Sequence, residues 1–156
     1  LVSLDAAALP CTLKEKTLVD YPVSIGGQSF NITCVNVGNP HCVVFCPRVD
    51  EVNVEQLGPR FENAPYFPRR INTEFVRVVN PGTIKMRVWE RGSGETMACG
   101  TGACAAVAAA TANGLCEKGR DVTVRAKGGD LIVNYTDQRV TLTGDAKLVY
   151  MGEVEY

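Results

Sequence analysis

Little in this chain invites a metal, a membrane or a polyanion. It has 156 residues, one histidine and seven cysteines, and no CxxC pair among Cys11, Cys34, Cys42, Cys46, Cys99, Cys104 and Cys116. His41 alone leaves few soft ligands to complete a tetrahedral metal site. An odd cysteine count without paired spacing argues equally against a disulfide framework, so free thiols in a reducing cytoplasm are expected. Sixteen basic residues against seventeen acidic ones give a formal charge of −1, which draws the chain neither to nucleic acid nor to anionic lipid. No apolar run reaches the roughly 20 residues that would span a bilayer. The opening LVSLDAAALP has no basic n-region and is no secretory signal. It also lacks an initiating methionine, so the expectation is a piece excised or processed from something longer.

What is present is an ordinary globular composition, 46% hydrophobic and 21% charged, in a chain long enough to bury a core as a single domain spanning residues 1–156. Strand patterns dominate. In TIKMRVWERG, Ile84, Met86 and Val88 alternate with Lys85, Arg87 and Trp89, the period of a half-buried strand. DVTVRA, GGDLIVNY and QRVTLTG continue it, with Gly128-Gly129 and Thr136-Asp137 as turns. Earlier, YPVSIGGQSFNITCVNVG gives two strands around Gly26-Gly27, and HCVVF a third. VNVEQLGPRFEN reads as a short helix closing before Pro65.

The exception is residues 99–113, CGTGACAAVAAATAN. Alanine is the best helix former, and Gly114 is a natural terminator. Small apolar residues occupy every side, so this helix is buried all round. Strands on both sides of it in sequence predict an α+β fold, a curved, mostly antiparallel sheet or barrel wrapped around a central apolar helix.

The stretch ERGSGETMACG leads into that helix, with Cys99 at the junction. A helix start presents unpaired N–H groups and roughly half a positive charge. A thiol there is expected to have a lowered pKa. The N–H groups of Gly100, Thr101 and Gly102 can grip an anion such as a carboxylate. A base beside a carboxylate clamp suits removal of a proton from the neighbouring carbon. Other readings stand beside this one. Cys99 among alanines also reads as a small buried hydrophobe, and Cys104 reads as packing. Gly100 to Ala105 fits GxGxxA, with Asp121 about 20 residues on. In a dinucleotide fold, however, that acid ends the next strand, and Asp121 begins one. Asn39 before Pro40 is a good turn asparagine. His41 and Cys42 are adjacent in an extended segment and face opposite ways, a poor dyad. Glu90 and Arg91 also read as a solvated strand end, and Glu95 as loop chemistry or a helix-dipole partner.

ERGSGETMACGTGACAA, with GNPHCVVF at 38–45 and FPRRINTEFVRVV at 67–79, closely resembles diaminopimelate epimerases from about residue 20 onward. The resemblance implies one half of a two-domain fold, the C-terminal half, with the N-terminal domain absent. It implies a cofactor-independent isomerase, requiring no metal, that interconverts LL- and meso-2,6-diaminopimelate for lysine and peptidoglycan precursors. Two cysteines serve opposite faces of Cα, one as thiolate and one as thiol. Carried over, Cys99 is one of that pair, and His41 and Glu90 are the catalytic groups that assist the two thiols. Asn39, Asn72, Glu90, Arg91, Gly100 and Thr101 bind the substrate. The chain carries no second glycine-flanked cysteine, so alone it is expected to be inactive. Expected partners are the small-molecule substrate and the missing half, in the same protein or a separate chain, or a second copy that sets two Cys99 thiols face to face. A related amino-acid racemase of the same superfamily and a non-catalytic domain remain the alternatives.

Overall fold

The computed structural model describes residues 2–155; Leu1 and Tyr156, the ends of the domain outlined by the sequence, lie outside them. The chain starts its sheet with a hairpin of β1 (Tyr21–Ile25) and β2 (Gln28–Asn36). Gly26 and Gly27 both take positive φ, 59° and 80°, as the tight turn matching strand twist demands. Strand β3 (Pro40–Phe45) pairs antiparallel to β2, and α1 (Val54–Glu62) then leads to β4 (Asn72–Asn80), which lies parallel to β3. Asn53 caps α1 by accepting from the Gln56 N–H at 3.1 Å, and the helix ends before Pro65 as expected.

Strand β5 (Thr83–Glu90) returns antiparallel to β4. The glycine stretch after it is more ordered than a loop. Gly94–Thr96 forms a short β6 folded back on β5, with Glu90 opposite Gly94. Helix α2 (Gly100–Ala112) follows and delivers the chain to β7 (Asp121–Ala126), parallel to β5. Hairpin strands β8 (Gly129–Tyr135) and β9 (Val140–Thr143) complete a nine-stranded sheet among the described residues, in the order β1-β2-β3-β4-β5-β7-β8-β9 with β6 paired to β5 off that path.

The sheet is therefore mostly antiparallel but contains two parallel pairings. Both helices are crossovers, and crossovers are right-handed. Because β5 runs opposite to β3 while both crossovers step the same way across the sheet, α1 and α2 must fall on opposite faces. The cores confirm it. Helix α2 packs against β2, β3, β4, β5, β7, β8 and β9, with Val35, Val43, Val76, Ile84, Met86, Val124 and Val133 around its alanines. On the other face, Phe61 of α1 joins Ile32, Val44 and Phe75. The central strands are thus buried on both sides, which the expectation of a sheet wrapped on one helix did not include.

Residues 102–110 of α2 are all buried, so its apolar composition on every side is matched by its surroundings. Gly114 takes φ 71°, and the Leu115 N–H bonds back to Ala110 O at 2.8 Å, the left-handed stop foreseen from its sequence. Among the described residues no helix is long and apolar enough to cross a membrane.

Candidate active site

Cys99 is the N-cap of α2, with extended backbone angles, and its sulfur accepts from the Gly102 N–H at 3.3 Å. The Thr101 hydroxyl lies 3.6 Å from the same sulfur. This geometry revises the expected anion grip. The Gly102 N–H is spent on the cysteine, which leaves those of Gly100 and Thr101 for a ligand, since the Ala103 N–H bonds to Cys99 O.

It also corrects the expected acidity. Burial pushes the Cys99 thiol above its ordinary value, the Thr101 and Gly102 bonds only partly oppose this, and the Glu74 and Glu90 carboxylates push it further up. The helix pole alone predicted a lowered value; in this fold desolvation outweighs it. At neutral pH the sulfur rests as a thiol.

Glu74 is the residue the sequence reading passed over. It lies on β4 with no solvent exposure, and its Oε1 is 2.7 Å from His41 Nδ1. A Cβ added at Gly102 would stand 2.7 Å from that same Oε1, so the carboxyl reaches the first turn of α2 only because residue 102 is glycine. Burial pushes the Glu74 carboxyl up, with His41 opposing and Glu90 adding to the shift. The available signal was parity: Glu74 shares its strand face with Val76 and Val78, which pack toward α2.

The expected site residues largely converge. His41 is fully buried, and its Nε2 is 2.9 Å from Asn39 Oδ1. Asn39 is thus more than a turn residue: its Nδ2 donates to Thr101 Oγ1 at 3.2 Å, tying the bend after β2 to the start of α2. Glu90, at the end of β5, accepts from the Thr96 hydroxyl at 2.5 Å. Asn72 is buried and internally engaged. Its amide donates to Pro40 O at 3.0 Å and accepts from the Arg91 N–H at 2.8 Å, so it holds the Asn39 and Arg91 turns together. The Arg91 guanidinium reaches Arg69 O at 3.0 Å. Arg69, Arg91, Asn39, Asn36 and Gly38 line a shallow cavity of about 250 Å³ that carries two cations, and Asn39 on its wall is the residue bonded to Thr101. Arg69 was not singled out from the sequence, although it lies in the FPRRIN block.

Glu95 is corrected too. It does not face the helix pole but forms a fork with Arg87, 2.8 and 3.1 Å, and meets Lys127 Nζ at 2.8 Å. Arg87 turns its remaining NH1 to Val52 O at 2.6 Å, which ties β6 to the segment entering α1. Cys104 is buried packing, as read. All seven cysteines are free thiols, and among the described residues no three His, Cys, Asp or Glu converge as a metal site would require.

Two solved structures share this arrangement of strands around a buried helix, at identities that speak to fold alone. A probable proline racemase from Agrobacterium radiobacter K84 matches with TM-score 0.57 at 16% identity, over 76% of this chain and 41% of that one. A hydroxyproline epimerase from Agrobacterium vitis matches with TM-score 0.57 at 15% identity, over 80% and 44%. The fold is the one that these two proteins share. Sequence narrows it: the family profile described as diaminopimelate epimerase matches residues 33–156, and the chain belongs to the diaminopimelate epimerase family. Among curated relatives carrying that name, the protein of Acetivibrio thermocellus is 52% identical over 149 residues, 94% of this chain and 52% of its own length. That of Nostoc punctiforme is 46% identical over 153 residues, 96% and 54%. The chain spans about half the length of the curated relatives it matches.

Proposed function

We propose that this chain is the C-terminal domain of an enzyme interconverting LL- and meso-2,6-diaminopimelate, with Cys99 moving the α-proton on one face of the substrate. The observation that carries the reading is the Cys99 sulfur at the start of a helix buried from residue 102 to residue 110, beside the N–H groups of Gly100 and Thr101, which no hydrogen bond engages among the described residues.

The α-carboxylate of the substrate sits on those two N–H groups, where the helix pole favours negative charge. When the Cα–H bond breaks, its electron pair spreads into that carboxylate, and the same groups stabilise the added charge. As thiolate, Cys99 accepts the proton; as thiol, it returns one. Its buried resting thiol suits it to begin as the acid. Glu90 and His41 bear on the sulfur's protonation, Glu90 through its charge and His41 through Asn39 and Thr101. The cavity between Arg69 and Arg91, bounded by Asn39, takes the distal carboxylate, with Asn72 holding its walls. That pair of guanidinium groups favours a dicarboxylic substrate over proline, which has one carboxylate. No cofactor enters these steps.

Inversion needs an acid on the opposite face, and the complementary half supplies it. The test is α-deuterium uptake in D₂O, measured with the protein alone and after fusion to the N-terminal half of the Acetivibrio thermocellus relative. The fusion is expected to exchange the α-hydrogen of diaminopimelate and the protein alone to leave it untouched. Exchange of proline but not of diaminopimelate by the fusion would refute the substrate assignment. Light scattering on the protein alone tests a pairing of two copies, for which a monomer is the contrary result.

A further inference from the structure

Both ring nitrogens of the chain's one histidine face oxygen: Nδ1 lies 2.7 Å from Glu74 Oε1 and Nε2 2.9 Å from Asn39 Oδ1. An amide oxygen only accepts, so Nε2 carries a proton and donates it. The second proton of the Glu74–His41 pair has two homes. On Nδ1 it makes an imidazolium beside a carboxylate; on Glu74 Oε1 it makes a neutral acid that donates to the ring. Either way the pair has no net charge, the condition under which two titratable groups without solvent exposure are tolerable in a core. Glu74 Oε2 has no hydrogen-bond partner among the described residues, and burial favours the uncharged acid.

The consequence runs on to the sulfur. With its oxygen taken by His41, the Asn39 amide turns its nitrogen to Thr101 Oγ1, 3.2 Å away. The Thr101 oxygen thereby receives a hydrogen bond, and its own O–H is left for the Cys99 sulfur at 3.6 Å. Loss of the Nε2 proton would reverse every link: the amide would flip, Thr101 would donate to Asn39, and the cysteine S–H would donate to Thr101. We infer that Glu74 is a positioning residue which, through His41 and Asn39, holds the Thr101 hydroxyl as a hydrogen-bond donor to the Cys99 sulfur. Together with the Gly102 N–H this gives a thiolate two donors, in a place where burial and the carboxylates of Glu74 and Glu90 oppose it. Its catalytic consequence rests on the reading of Cys99 as a proton carrier; the geometry itself does not.

Two measurements on the protein test it. In histidine-labelled protein, long-range ¹H–¹⁵N spectra report the ring directly, and His41 is the one imidazole present. Nε2 is expected to be protonated near neutral pH, and to remain so in E74Q, whose amide can donate to Nδ1. An unprotonated Nε2 in either protein overturns the inference. The second measurement is the alkylation rate at Cys99, read by peptide mass spectrometry in a cycle of E74L and T101V. Acting through Thr101, E74L slows alkylation about tenfold, the loss of one hydrogen bond to a charged group, and in the T101V background it no longer slows it, because only the opposing Glu74 charge is then left to remove. A direct effect of the Glu74 charge would have the opposite sign, since removing a nearby carboxylate favours the thiolate. Faster alkylation by E74L in both backgrounds would therefore overturn the relay. A protonated Nε2 in a fused enzyme that exchanges no α-hydrogen supports the relay and counts against the proposed reaction alone.

Discussion

Replacing Gly102 by alanine sets two effects against each other at one atom. Alanine is about 1 kcal/mol better than glycine inside a helix, so by propensity the change should stabilise. Its methyl, however, would stand 2.7 Å from Glu74 Oε1 and 3.2 Å from both Cβ and Sγ of Cys99. Glu74 has no exposure and is held by its 2.7 Å bond to His41, so it cannot swing aside freely. Overpacking a core costs about 1–3 kcal/mol, and breaking a bond to a charged partner about 1.5–3 kcal/mol. Even the low ends of these ranges together exceed the propensity gain, leaving a net loss of about 1–2 kcal/mol. For a domain of this length that is a Tm lower by roughly 3–6 °C. Urea unfolding should show a lower midpoint at unchanged slope, with the His41 ring signals displaced. Gly100→Ala is the control: its methyl would meet only Leu142 Cδ2 at 3.0 Å, the tip of a half-exposed side chain that can move, so the change should fall within about 0.5 kcal/mol. Gly102→Ala protein as stable as the parent, with an unaltered histidine spectrum, would refute the reasoning.

Cys99 should alkylate slowly at neutral pH and ever faster through and beyond the ordinary thiol range, because burial raises its pKa and only the thiolate reacts; a plateau already reached near neutrality would contradict this. Glu95→Gln breaks the fork to Arg87 and the ion pair to Lys127 at a side chain only 12% exposed, and should cost about 1–2 kcal/mol at neutral pH by urea unfolding. The Arg87 bond, first among its causes, lowers the Glu95 pKa. Its contribution is therefore present above the unfolded glutamate value and lost as pH falls through the lower folded one, so parent and variant should converge in acid. Gly58→Ala places a methyl 2.3 Å from the Trp89 ring, which Glu62 holds through Nε1 at 2.6 Å; about 3 kcal/mol of stability should be lost, with a shift in the fluorescence of the chain's one tryptophan.

Local chemistry was what the sequence displayed well. Gly26-Gly27 between alternating strands, an alanine helix apolar on every side and a glycine at its end each state their conformation within a few residues. Cys99, Gly100 and Thr101 were legible for the same reason, since a helix start is a local object. The rest depends on residues far apart in the chain. Glu95 finds Arg87 across a hairpin and Lys127 from the β7–β8 turn, and no nearest-neighbour rule reveals that. Glu74 hides in a strand where an acid reads as a solvent-facing residue, and only its parity with Val76 and Val78 betrays it. The acidity of Cys99 was misjudged because the helix pole is visible in sequence, whereas the depth of burial and the approach of Glu74 and Glu90 are properties of the fold. The opposite placement of α1 and α2 follows from two right-handed crossovers, which cannot be recognised until β3–β4 and β5–β7 are known to be parallel.

The account stands on a single sulfur. In the enzyme completed with the complementary half, Cys99→Ala should abolish interconversion of LL- and meso-diaminopimelate, because one face of the planar carbanion then has no proton carrier, while circular dichroism and the His41 spectrum remain those of a folded protein. Interconversion by the Cys99→Ala enzyme at the rate of its parent would contradict it.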